Sequence, residues 1–246
     1  MVLAIIGGLV ILFAFGAAAA LIPAHESGNG ASGGSSTTGD NGLFGSAAPA
    51  TPEVPPSATF DAQNRISGYQ SSFYVLGFVK NTSPFPIDKP KVTAVLLDKS
   101  GKELASRDGY AEGDVLAPQA TAPIKVLISD PPAFDHLAYE VVPQKATYFP
   151  EKAAALRLEI LEAPHPTSDS SWEVTGKAFN GGTQAARFVN ILVLAFDAKN
   201  HLIGLESTYA DGESIPAGAS ARFRAMPMYD AAPHHFQYLV SGQVKK

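Results

Sequence analysis

Residues 73–142 occur twice in this chain, and that duplication constrains the fold more than any other feature. Shifting the sequence by 99 positions lays Gly77 on Gly176, Asn81 on Asn180 and Asp98 on Asp197, without a gap. The same shift lays Tyr110 on Tyr209, Gly113 on Gly212 and Tyr139 on Tyr238. A constant offset sustained over about seventy residues marks an internal repeat. The unit is long enough to enclose a core of its own, unlike the short units of a solenoid. Two such units fit the 246 residues.

Within each copy the pattern is that of strands. In the second copy Trp172, Val174 and Ala178 fall on one face of an extended segment, and Glu173, Thr175 and Lys177 on the other. Gly176 falls on the inward face, which predicts a bulge or a close backbone approach. Asn180-Gly181-Gly182 reads as a turn, and residues 188–196 are apolar almost throughout, as in a central strand. Asp197 to Asn200, like Asp98 to Gly101, opens with an acceptor for a turn and closes on a residue that tolerates positive φ. Residues 202–209 form the next strand, and after a loop at Ile215-Pro-Ala-Gly218 the strand at 221–228 is expected to bury Phe223 and Ala225 and to expose Arg222 and Arg224. The last is expected to turn Phe236, Tyr238 and Val240 inward. First strands at residues 59–66 and 156–161 complete each set, giving two small antiparallel sandwiches. No long 3.6-residue period appears after the N-terminal segment. Residues 143–152 form a short, Pro-flanked connector, which predicts adjacent but hinged modules.

Composition narrows the function. Apolar residues make up 46% of the chain, enough for two small cores. No Lys or Arg precedes Arg65, and the rest is nearly neutral, so no basic stripe exists to follow phosphates and nucleic-acid binding is not expected. Cysteine is absent, which excludes disulfides, thiolate metal sites, cysteine nucleophiles and a lipid-modified cysteine anchor.

Residues 1–24 read as a transmembrane helix. Val2 to Ile22 is apolar and uncharged, and about 20 helical residues cover the ~30 Å hydrocarbon core of a bilayer. A cleaved signal peptide is the alternative. The small residues at 17–20 and Pro23-Ala24 favour it, whereas the length of the run and the lack of a basic leader speak against it. Ala4/Gly8 and Gly16/Ala20 are small residues four apart, a spacing that admits close packing of another helix. Residues 25–57 read as a linker, Gly/Ser-rich at first and Pro-rich after Ala47, with a root-mean-square reach of ~30 Å. Leu43-Phe44 is its one sizeable apolar pair, read either as chance or as a docking element.

The spacing Gly-x-x-x-Asn (Gly77 to Asn81, Gly176 to Asn180), followed by a strand closing in Ala94-Val-Leu-Leu-Asp98 or Val193-Leu-Ala-Phe-Asp197, resembles the FxLYD-domain family. The loop at Leu116-Ala-Pro118 and the ending Tyr139-Glu-Val fit the same pattern. The first copy is also similar to the C-terminal domain of a bacterial membrane-anchored family of unknown function, in which it follows a zinc ribbon and a membrane helix. The resemblance covers residues 57–142 and 156–240. It implies immunoglobulin-like β-sandwiches at 58–145 and 153–242, on the outer side of a membrane, and it carries over no catalytic residue. The zinc ribbon has no counterpart here, because it needs cysteine.

Catalytic and metal chemistry finds little support in the motifs. The six histidines lack metal-ligand spacing; His234 and His235 adjoin, but neighbours on a strand point to opposite faces. No nucleophile elbow, phosphate loop or dinucleotide fingerprint is present. Asp98 and Asp197 read as turn caps, and Tyr110 and Tyr209 as residues packed at a sandwich corner with their hydroxyls bonded to backbone. No catalytic residue, cofactor or metal is therefore expected. The copies do differ at one place that the fold does not require. Where copy two has Glu173, Thr175 and Lys177, copy one has Tyr74, Leu76 and Phe78. Three large apolar side chains on one face make a patch of interface size. Its occupant is either a protein partner or, within the chain, the other module or the Pro-rich linker.

The expectation is a non-enzymatic, single-pass protein of the bacterial cytoplasmic membrane, its modules on the periplasmic or extracellular side. It would serve as an accessory or assembly subunit of a respiratory, photosynthetic, secretory or division complex, with other protein subunits as partners. A structural surface or filament subunit, assembled through its apolar N-terminal helix, is the alternative.

Overall fold

The computed structural model describes residues 54–147, 153–167 and 171–244. The predicted N-terminal helix with Ala4, Gly8, Gly16 and Ala20, and the linker through Glu53, lie outside the described residues. Among the described residues no helix is long and apolar enough to cross a membrane.

The described chain is all-β, and its strands pair antiparallel. In the first module, β1 (Ala58–Ser67), β2 (Phe73–Asn81) and β6 (Thr121–Ile128) form one sheet in the order β1-β2-β6. The other sheet centres on β3 (Ile87–Leu97), with β4 (Glu103–Tyr110) on one side and β7 (His136–Lys145) on the other. The short β5 (Val115–Leu116) pairs with the start of β3. Each sheet sends alternate side chains inward. Val75, Val79, Ile124 and Val126 from the first meet Ile87, Val92, Ala94 and Leu96 from the second in one buried core.

The second module repeats this arrangement with the predicted offset. It contains β8 (Leu156–Ile160), β9 (His165–Pro166), β10 (Trp172–Asn180), β11 (Ala186–Phe196), β12 (Leu202–Tyr209), β13 (Ser214–Ile215), β14 (Ser220–Ala225) and β15 (His235–Val244). The bounds of β10, β11, β12, β13 and β15 are those of β2, β3, β4, β5 and β7 plus 99. Register is preserved too: Val79 pairs with Ala122, and Ala178 with Ala221. We call β1-β2-β6 and β8-β10-β14 the front sheets, and β4-β3-β7 and β12-β11-β15 the back sheets.

The repeated residues have physical work in both copies. Asn81 is fully buried, and its side-chain amide donates to the carbonyls of Phe85 and Leu116, both at 2.9 Å, while its Oδ1 accepts from Ser83 N at 2.8 Å. Asn180 donates to Gln184 and Ile215 and accepts from Gly182 N. One side chain thus ties the end of the front-sheet strand to the loop after it and to the short strand beyond. It satisfies carbonyls that would otherwise be buried without partners. The inward glycines make room for aromatic rings. A Cβ on Gly77 would lie 2.5 Å from Phe60 Cε2, and one on Gly176 would lie 2.4 Å from Phe223 Cε1. The same gap is filled by a ring from β1 in the first module and from β14 in the second. Asp98 and Asp197 open their turns as expected. Oδ1 of Asp98 accepts from Ser100 N and Lys102 N, and that of Asp197 from Lys199 N and His201 N. Those hydrogen bonds hold both carboxyls below the ordinary aspartate range, the Ser100 hydroxyl being the main cause for Asp98 and the His201 amide for Asp197. Gly101 and Asn200, at equivalent places in the two turns, both have positive φ.

One expectation is corrected. Tyr110 and Tyr209 do not tuck into a corner; they stand 55% and 65% exposed, at strand ends that point away from either core. The modules are adjacent, as expected, and in contact. A third apolar cluster forms between them, and it takes up the patch singled out above.

Candidate binding surfaces

The third cluster is a seam between the front sheet of the first module and the back sheet of the second. From the first come Ile66 of β1 and Tyr74, Leu76 and Phe78 of β2. From the second come Leu192, Leu194 and Phe196 of β11, Leu202 and Leu205 of β12, and Leu239 of β15. Alternation explains the geometry. Val75 and Val79 point into the first module's core, so Tyr74, Leu76 and Phe78 must point out of it. Ile191 and Val193 point into the second core, so Leu192, Leu194 and Phe196 point out toward the seam. Leu76 and Leu202 are fully buried there. Phe78 stacks on Phe196 with ring centres 6.4 Å apart, and Phe196 stacks in turn on His235. The other ring of the His pair, His234, meets His235 edge-on.

Polar contacts border the apolar strip. Lys125 Nζ lies 3.1 Å from Glu206 Oε2 and also sits over the Tyr74 ring. Ser67 donates from its amide and its hydroxyl to Asp230 Oδ2, at 2.8 and 3.1 Å. Glu112 projects near Lys89, Lys125 and Glu206, and burial pushes its carboxyl above the usual glutamate range. The apolar patch at Tyr74, Leu76 and Phe78 is thus occupied by the second module, one of the occupants its sequence allows. Sequence reading located the patch but missed its counterpart. The signal was the uninterrupted apolar run of β11, since a strand with both faces buried is apolar at every position.

With those faces joined, each module keeps one outer sheet face open. On the second module it is the front sheet. Lys177 pairs laterally with Arg222 and Glu159, Thr175 with Arg224, and Phe179 with Arg157 and Ser220. Arg224 donates to Glu173 at 2.6 Å, and Arg157 stacks over the Phe179 ring at 4.1 Å. Cations outnumber carboxylates on this face. On the first module the open face is the back sheet, where Thr93 pairs with Asp108 and Glu140, and Leu97 with Glu103 and His136. Asp108 is bonded by the Thr93 hydroxyl and by Lys91, which together hold its carboxyl low. Carboxylates outnumber cations here. Tyr110 borders a shallow open depression at the end of this face, with Asp88, Lys89, Lys91, Val142 and Gln144.

Chemistry of other kinds is thinly represented. His136 contacts Asp135, and His201 contacts Asp197, each as an isolated pair at the surface. Among the described residues no three His, Asp or Glu side chains gather where they would hold a metal ion. Tyr229 is buried beside Trp172 with its hydroxyl unpartnered, and burial pushes that hydroxyl's pKa upward.

No protein-family model matches the chain, and no curated protein matches it. Among solved structures, the chain is similar to the crystal structure of red sea bream transglutaminase at 10% identity, over 79% of this chain and 32% of that one, with a TM-score of 0.19. The chain spans about a third of that protein's length, and so low a score carries no argument about either fold or activity.

Proposed function

We propose that this chain is a non-enzymatic accessory or assembly subunit of a membrane protein complex. Its two immunoglobulin-like sandwiches act as one binding body, held by the apolar N-terminal segment on the outer side of a bacterial cytoplasmic membrane. The immunoglobulin-like reading, and with it the FxLYD resemblance, is supported by strand order. A front sheet β1-β2-β6 facing a back sheet β4-β3-β7 corresponds to A-B-E facing C′-C-F in that fold. One observation carries the binding role: the seam consumes the large apolar faces of both modules and leaves two open sheet faces of unlike charge. Such a body recognises protein partners chiefly by electrostatic complementarity, which governs encounter and register. Its test is co-purification of the full chain from membranes in a mild neutral detergent, with mass spectrometry of the eluate. Distinct proteins in a fixed ratio support the reading. Recovery of the chain alone, or of the chain bound only to itself, overturns it.

A further inference from the structure

A seam between the front of one module and the back of the next is heterologous. Contacts of that kind propagate into open filaments unless something stops them. Equivalent residues show what stops this one. Moving the seam residues of β2, β11, β12 and β15 by 99 positions gives their counterparts on the open faces. Tyr74, Leu76 and Phe78 become Glu173, Thr175 and Lys177. Leu192, Leu194 and Phe196 become Thr93, Val95 and Leu97. Leu202, Leu205 and Leu239 become Glu103, Ser106 and Glu140. The ion pair is replaced as well. Lys125 corresponds to Arg224, and Glu206 corresponds to Arg107. A second copy stacked in the geometry of the seam would set Arg224 of one chain against Arg107 of the next. Arg224 is already engaged by Glu173, and Arg107 by the carbonyls of Ser106 and Ser129.

We propose that the two open sheet faces are terminators: their residues restrict head-to-tail stacking to the two modules within one chain and exclude a second copy of this chain from the same geometry. On the open front face all three apolar side chains are replaced by polar ones; on the open back face Val95 and Leu97 stay apolar, but their neighbours are Thr93, Glu103, Ser106 and Glu140; and two arginines stand where the seam has an ion pair. Loss of the apolar contacts removes the driving force; the opposite net charge of the two faces offers only the weak, screened attraction of exposed ion pairs, and the two guanidiniums repel each other at the one place where the seam has its ion pair.

The test uses the full chain in neutral detergent, followed by sedimentation velocity, with wild type as the baseline for any association through the N-terminal segment. One variant restores seam chemistry at the open front face (Glu173→Tyr, Thr175→Leu, Lys177→Phe). A second restores it at the open back face (Thr93→Leu, Val95→Leu, Leu97→Phe, Glu103→Leu, Arg107→Glu). At moderate salt each variant alone is expected to sediment close to wild type, the back-face variant showing at most the weak, salt-sensitive gain expected of Arg107→Glu. An equimolar mixture is expected to form a one-to-one pair, and a chain carrying both sets is expected to form polymers that grow with concentration. Self-association of either single-face variant as strong as that of the mixture would mean indiscriminate apolar contact and overturn the proposal. So would a doubly restored chain that melts like wild type and stays at wild-type size. Arg107→Glu alone keeps both faces polar and tests the charge component without burdening the fold. It is expected to raise end-to-end association at low salt at least several-fold over wild type, and an unchanged value refutes the role given to the two arginines.

Discussion

The two modules share a backbone plan and oppose each other in what their outer faces carry. On the first, the front face is apolar and the back face polar; on the second the assignment is reversed. The residues kept at equivalent positions, such as Gly77/Gly176, Asn81/Asn180 and Asp98/Asp197, all serve the plan: a space for a ring, a buried amide, a turn. The residues that differ decide which surfaces meet. Fold and association are therefore written in separate sets of positions, and one set can change without disturbing the other.

The most direct way to break that comparison is at the seam. Leu76→Ala is expected to cost about 2–5 kcal/mol, from lost transfer energy and the cavity left behind. Thr175→Ala at the equivalent open position is expected to stay within about 0.5 kcal/mol. Urea unfolding of the two variants measures both, and equal losses would mean that the faces do not differ as described. Next in size come the shared amides. Asn81→Ala and Asn180→Ala each strip two buried carbonyls of a donor, which corresponds to roughly 1–3 kcal/mol per group left unsatisfied. The two losses are expected to agree with each other, because the hydrogen bonds are the same in both modules. A large disparity would show that the modules are not held by the same device.

The smallest effect is read against pH. Asp98 and Asp197 have folded pKa values below the ordinary one. Their contribution is present above about pH 4 and is lost as pH falls through the depressed values. Glu112 is shifted the other way by burial. Its contribution is present below the ordinary glutamate value and is lost as pH rises through the raised one. Asp197→Asn is therefore expected to flatten the acid limb of a melting-temperature profile. Glu112→Gln is expected to raise the melting temperature at neutral pH and leave the acid limb nearly unchanged. Parallel pH profiles for these two variants would contradict the opposite signs assigned to the turn and to the border of the seam.

Much of this architecture is legible in the chain itself. The offset of 99, the main strands, the turn aspartates and the inward glycines all follow from local patterns, because alternation and turn chemistry act over a few residues. The outward patch at Tyr74, Leu76 and Phe78 is legible for the same reason. What covers it is not, since a sequence shows that a face is apolar without showing what it meets across more than a hundred residues. Leu194 and Phe196 lay inside a run that reads as an ordinary central strand, so the second half of the seam was hidden in plain composition. Tyr110 and Tyr209 mislead by position: they repeat with the framework residues but point into solvent, where neither core nor seam constrains them.

Strands β2 and β11 are each central in a sheet, and each sends one side-chain set into its own module and the other into the seam. Neither can release its amides to water by a local fluctuation that spares one layer, because opening either strand disrupts two cores at once. Their counterparts β10 and β3 back onto a single core and face solvent on the other side. The chain therefore has an uneven clock. Amide protons of β2 and β11 are held to exchange through the rarest and largest openings, while those of β10 and β3 have shallower routes, although the paired strands are equal in length and share one register.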